Sequence, residues 1–238
     1  MKTLLAGSLV VHAAGGADRD GGGDGPAVLL CHGFGAPGED LVSLHRVIGA
    51  PPATRWFFPE APIALDGAMS GGRAWWPIDM MQLQLAMMRG ELRDLENETP
   101  DGLPLASSAL LSCIDALIAD HGVDPARLVI GGFSQGSMLT TEISLMADRA
   151  FAGLAVLSGT LLSKARWVEG AKQRGKGLHV FQSHGRRDPV LPFSAAEALH
   201  ELLKSHGAHA GFTPFGGQHE IPQMVCEGLG QFLRARLG

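Results

Sequence analysis

The chain has 238 residues, 45% apolar and 18% charged, a comfortable size for one α/β domain and a tight one for two. Those proportions exclude a disordered tail, a coiled coil and a disulfide-dense miniature. The formal charge of −5 gives a nucleic-acid-binding role no electrostatic support, and no apolar run reaches the ~18 residues that cross a bilayer.

From the N-terminus, Met1-Lys2-Thr3 followed by an apolar stretch has the outline of a short signal peptide. The β-forming Leu9, Val10 and Val11 predict an edge strand instead, with a Gly- and Asp-rich turn over 15–25. The cysteines, Cys31, Cys113 and Cys226, are odd in number and far apart, so they read as buried thiols of a reducing compartment, and the location expected is cytoplasmic. Residues 27–31 (A-V-L-L-C) form a continuous apolar run, the signature of a strand covered on both faces. A helix is expected over 39–48, a core strand over 55–58, and a helix over 79–96 with Asp79 as N-cap. After a loop at 99–104, Leu110, Cys113, Ile114, Leu117 and Ile118 keep the spacing of a core-facing helix that Gly122 can close. Strands then follow at 127–130, 154–157, 179–182 and 212–215, with a helix over 134–147 between the first two. Ser194-Ala-Ala-Glu197 reads as a capping box opening a helix to about 206, and Pro222 suits the first turn of the last helix. No internal repeat or interdomain linker is visible, so 1–238 is one α/β domain. The alternation predicts a doubly wound parallel sheet with reacting groups on loops at the carboxyl ends of its strands.

Gly132-Phe133-Ser134-Gln135-Gly136 follows the 127–130 strand directly. A serine in G-x-S-x-G between strand and helix sits on a sharp turn in strained backbone angles, and side chains at either glycine would collide with neighbours. A nucleophilic serine needs an acid and a base, in the chain order Ser, Asp/Glu, His. Asp188 in H-G-R-R-D-P-V and His219 in G-G-Q-H-E both fall in loops after later strands, in that order. An oxyanion hole would then use the backbone N–H of Gln135 and that of Phe34, in the His32-Gly33-Phe34-Gly35 loop after the first core strand. For His32 itself, a side chain bonding its own loop is the reading preferred over catalysis.

H-G-F-G-A-P-G-E-D-L (32–41), F-P-E-A-P (58–62), L-V-I-G-G-F-S-Q-G-S (128–137), L-S-G (157–159), H-G-R-R-D-P-V-L-P (184–192) and G-G-Q-H-E-I (216–221) together resemble the phospholipase/carboxylesterase family. The resemblance runs from about residue 27 to the C-terminus. It implies an α/β-hydrolase fold: a mostly parallel central sheet, helices on both faces and an antiparallel N-terminal edge strand. It also implies Ser134 as nucleophile, Asp188 as acid, His219 as base, and Phe34 and Gln135 as oxyanion donors. The function expected is a serine carboxylesterase acting on small acyl esters or thioesters without metal or organic cofactor. Lysophospholipase and acyl-protein thioesterase remain alternatives, as does a catalytically silent α/β-hydrolase used as a binding module. The ten histidines hold no H-x-x-x-H pair, which disfavours a metal hydrolase.

Two features depart from the family pattern. Gln218 interrupts the glycine–histidine junction, and the region of about 66–104 carries a Met-rich segment with Met80, Met81, Met87 and Met88. Methionine moulds to flexible apolar ligands, so this segment is expected to form a flap or insertion over the site. Trp75, Trp76, Met80, Met81 and Met87 would line an acyl pocket; burial of the Met and Leu side chains in a core helix is the alternative. Integral membrane association is not expected, and apolar surface near this segment would serve a homodimer or contact with lipid.

Overall fold

The computed structural model describes residues 1–79, 81, 85, 88, 89 and 95–238. Ten strands are described: β1 (Lys2–Ala6), β2 (Leu9–Gly15), β3 (Ala27–Cys31), β4 (Arg55–Pro59), β5 (Ile63–Ala64), β6 (Arg73–Ala74), β7 (Leu128–Phe133), β8 (Gly153–Leu157), β9 (His179–Gly185) and β10 (His209–Phe215). Five helices accompany them: α1 (Leu103–His121), α2 (Gln135–Met146), α3 (Lys164–Arg174), α4 (Phe193–Ser205) and α5 (Gln223–Leu237). Eight strands make one sheet in the order β1-β2-β4-β3-β7-β8-β9-β10. From β4 to β10 every neighbouring pair is parallel, whereas β1 and β2 pair antiparallel with each other and β2 antiparallel with β4. The expected antiparallel edge is therefore a hairpin of two strands.

Alternate residues of each strand serve two cores, because successive side chains leave opposite faces. Ala27, Leu29 and Cys31 of β3 join Leu110 and Leu117 of α1, Leu139 of α2, Trp167 of α3 and Leu199 of α4 on one side. Val28 and Leu30 join Val225, Leu229 and Leu233 of α5 on the other. Both faces are covered, which explains the unbroken apolar run of β3. α1 is long and apolar enough to cross a membrane, with a mean hydropathy of 1.5, yet Leu103, Ala106, Leu110, Cys113, Ile114 and Leu117 form the stripe it buries in the core. Gly122 closes it in the left-handed conformation at φ 61°. The three cysteines are free and buried, and burial pushes the Cys113 thiol up to about 12.

Some elements differ from expectation. The helix expected over 39–48 is only a 3₁₀ turn at Val42–Arg46, cut short before Gly49, Pro51 and Pro52. Ser194 does not cap α4: that helix starts one residue earlier, at Phe193, with Pro192 (φ −65°) before it and no side-chain cap. α3 is not among the elements expected from the sequence; it is mostly polar and buries only Trp167, Gly170 and Ala171. The expected 79–96 helix lies largely outside the described residues, as do Met80 and Met87.

Candidate active site

Ser134 stands between β7 and α2 with φ 53° and ψ −119°, angles that cost a non-glycine residue free energy. The flanking glycines are a steric requirement: a Cβ at Gly136 would run into the carbonyl oxygens of Cys31 and His32, and one at Gly132 into the Gly136 backbone. The Ser134 amide donates to the Leu157 carbonyl of β8 at 2.9 Å, and the Ser134 carbonyl accepts from Ser137 and Met138 as α2 begins. The turn is thus held by bonds from both sides. The N–H of Gln135 opens α2, where the first amide has no acceptor within the helix, and the Ser134 side chain makes no cap bond.

The loop after β3 lies directly against this turn. A Cβ at Gly33 would sit 3.3 Å from the Ser134 Cβ. His32 is buried and makes two bonds: Nε2 accepts from the Ala61 amide at 2.9 Å, so Nδ1 carries the proton and donates to the Gly33 carbonyl at 2.7 Å. Burial lowers its pKa and keeps the ring neutral. A trans peptide aims its C=O and N–H in opposite directions, so capturing the Gly33 carbonyl fixes which way the Phe34 N–H faces. His32 is therefore the structural side chain its sequence context suggests. Gly35 and Ala36 are tied to Arg73 by backbone bonds of 2.9 Å each, which hold the far end of the loop.

Asp188 and His219 meet from the loops after β9 and β10. His219 Nδ1 is 2.6 Å from Asp188 Oδ2, and Asp188 Oδ1 accepts from the amides of Val190 (2.8 Å) and Leu191 (2.9 Å). Burial pushes the Asp188 carboxyl up, but the bond and charge of His219 and the two amides outweigh it, leaving the pKa below its ordinary value. The His219 loop leans on the end of β9: a Cβ at Gly185 would strike the Gln218 carbonyl oxygen, and Arg187 N donates to the Gly217 carbonyl at 3.0 Å. The imidazole of His219 stacks obliquely on Phe133, ring centres 4.7 Å apart, beside the residue that precedes Ser134. Ser134, Asp188 and His219 all lie past the carboxyl ends of parallel strands, at one rim of the sheet.

The pocket residues divide. Trp75 is fully buried, its indole N–H donating to the His32 carbonyl at 3.0 Å, so it supports the loop from beneath. Trp76 lines a cavity of about 360 Å³ together with Ile78, Leu95, Met138 and Leu162. Met138 is one turn along α2 from Ser134, and the Gln135 side chain bridges to the Trp75 amide (2.9 Å) and the Trp76 carbonyl (2.8 Å). That stitching role of Gln135 was not visible in the sequence, since its partners lie about 60 residues away. Met81 and Met88 are 73% and 85% exposed, not buried in the core. Among the described residues, no three His, Cys, Asp or Glu side chains gather as a metal site.

A family model described as phospholipase/carboxylesterase matches residues 22–237. The chain belongs to the phospholipase/carboxylesterase family. It is therefore a hydrolase by family. It is similar to acyl-protein thioesterase 1 of Kluyveromyces lactis, 31% identical over 88% of this chain and 91% of that one. It is similar also to a probable carboxylesterase of Oryza sativa subsp. japonica, 29% identical over 88% of this chain and 77% of that one. Among solved structures it is similar in fold to esterase PE8 (TM-score 0.75, 24% identity, 95% of this chain and 100% of that one). The carboxylesterase from Mesorhizobium loti gives a TM-score of 0.74 at 16% identity, covering 98% and 97%. The family fold is the α/β-hydrolase.

Proposed function

We propose that the protein is a serine carboxylesterase that passes the acyl group of an ester or thioester to Ser134 and then to water. The observation that carries this reading is the 2.6 Å Asp188–His219 pair at the same rim as a serine in strained backbone angles. With Nδ1 donating to Asp188, Nε2 of His219 has the lone pair that can take the proton of Ser134. The serine oxygen attacks the acyl carbonyl, whose developing charge is met by the N–H groups of Phe34 and Gln135. Asp188 stays ionised and stabilises the imidazolium. His219 then protonates the leaving group, activates water against the acyl-enzyme, and returns to its starting state. None of these steps calls for a metal or organic cofactor.

In this reading the acyl chain enters the cavity lined by Trp76, Ile78, Leu95, Met138 and Leu162, whose volume is in the range of small-ligand sites. In the region 66–104, Met81 and Met88 are exposed and offer soft apolar surface. The relatives named as acyl-protein thioesterases favour thioesters as a second substrate class beside carboxylic esters. Three unpaired thiols favour the cytoplasm. A silent binding module of this fold has no physical need to keep φ 53° at Ser134, which sets the catalytic reading ahead of it.

A fluorophosphonate probe is expected to label the wild type and not Ser134→Ala, which should lose more than about 10³-fold in p-nitrophenyl butyrate hydrolysis. Folded wild-type protein that fails to label overturns the reading. In a p-nitrophenyl ester series from acetyl to palmitoyl, activity should extend beyond acetyl; acetyl alone would remove the acyl cavity from the scheme.

A further inference from the structure

His184 stands on β9 four residues before Asp188, with a side chain that is wholly buried, and the scheme above leaves it without a task. Its Nε2 is 3.1 Å from the Leu191 carbonyl oxygen and 3.3 Å from Asp188 Oδ2. Both are acceptors only, so the proton must reside on Nε2. Burial lowers the pKa of His184, so the ring carries one N–H, which donates to the Leu191 carbonyl and lies beside the carboxylate oxygen as a polar contact.

We infer that His184 is a positioning residue that acts through Asp188. An ionised carboxylate has about four acceptor sites. Asp188 fills three of them, with the amides of Val190 and Leu191 on Oδ1 and His219 Nδ1 on Oδ2, and the fourth side of the carboxylate faces His184 Nε2, 3.3 Å from Oδ2. Two imidazoles thus converge on one oxygen: one belongs to the proposed base, the other is locked in the sheet. His184 holds Oδ2 in place while His219 gains and loses its proton, and it draws off part of the carboxylate charge that would otherwise rest on the His219 bond. The groups that act on His184 besides Asp188 and the Leu191 carbonyl are the His219 imidazole and the Gly159 backbone, and Arg186 lies over the Phe193 ring at 4.7 Å, with that ring 6.1 Å from His184. A leucine would fill the same space as hydrocarbon; only an N–H at the Nε2 position sets the positive end of a dipole against Oδ2.

This inference rests on the Ser134–His219–Asp188 reading, and one experiment separates the two. Active sites are first counted with the fluorophosphonate probe, then kcat/KM per active site is followed against pH for wild type, His184→Leu, His184→Gln and His184→Asn. Wild type that is folded yet unlabelled refutes the parent reading. Given labelling, His184→Leu should lose up to about 100-fold in kcat, the scale of a misplacement of about 1 Å. Its acidic limb should move to higher pH, because charge returned to the His219 bond favours the imidazolium. His184→Gln, whose amide N–H reaches the Nε2 position, should restore both, and the shorter His184→Asn should not. Loss of labelled sites with an unchanged limb in every variant overturns the inference, as does a limb that moves to lower pH or a fully active His184→Leu.

Discussion

At Asp188 burial and hydrogen bonding oppose each other, and bonding wins. A carboxylate without solvent would ordinarily protonate, but His219 and two amides hold the charged form below the usual carboxylate range. The sign for stability follows. A group whose folded pKa is depressed contributes stability above its unfolded value, near 3.9, and loses it as pH falls through the folded value. Melting temperature should therefore drop on acidification below about pH 4, and Asp188→Asn should flatten that part of the profile. The same substitution should reduce kcat by about 10³–10⁴-fold, since the amide no longer fixes the tautomer or stabilises the imidazolium; unchanged kcat would remove Asp188 from the mechanism.

At the scale of elements, the site is made by strand ends and the loops they carry. The 185–188 turn and the 216–219 loop are packed so closely that Gly185 has no room for a Cβ beside the Gln218 carbonyl. Gly185→Ala should displace the loop bearing His219 and lower kcat by about 10²-fold with the far-ultraviolet circular dichroism unchanged. Gly216→Ala, where a Cβ meets nothing within 4 Å, should keep wild-type rates. Equal rates for the two variants would show that this packing does not matter to catalysis. On the other side of Ser134, the loop after β3 is held by His32, by Arg73 and by Trp75, bonds that fix the peptide between Gly33 and Phe34.

For the molecule as a whole, the N-terminal segment belongs to the core. Leu9, Val11, Ala13 and Ala14 of β2 are buried, and β2 bridges β1 and β4. Removal of residues 1–14 would strip two strands, uncover β4 with Trp56, Phe57 and Phe58, and leave an open sheet edge. Each fully buried Leu or Val contributes about 1.5–3 kcal/mol, so the truncated chain should lose several kcal/mol in urea unfolding or aggregate outright. A truncated chain as stable as the full one would return these residues to the role of a removable leader.

Much of this was legible along the chain. Ser134, Asp188 and His219 each follow a strand at a turn, and their order matches what a nucleophile, acid and base need; strand runs and the Gly122 stop are likewise local patterns. The motifs that resemble the family imply the fold as well. What local pattern could not carry were the partnerships. His184 meets Asp188 only because the chain turns back after β9, Gln135 reaches Trp75 and Trp76 across about 60 residues, and Pro192 displaced the cap that Ser194 promised. Backbone preference and hydrophobic period act over a few residues and are written in order along the polymer. Which buried donor completes which buried acceptor depends on how distant segments stack, and only the packed chain decides that.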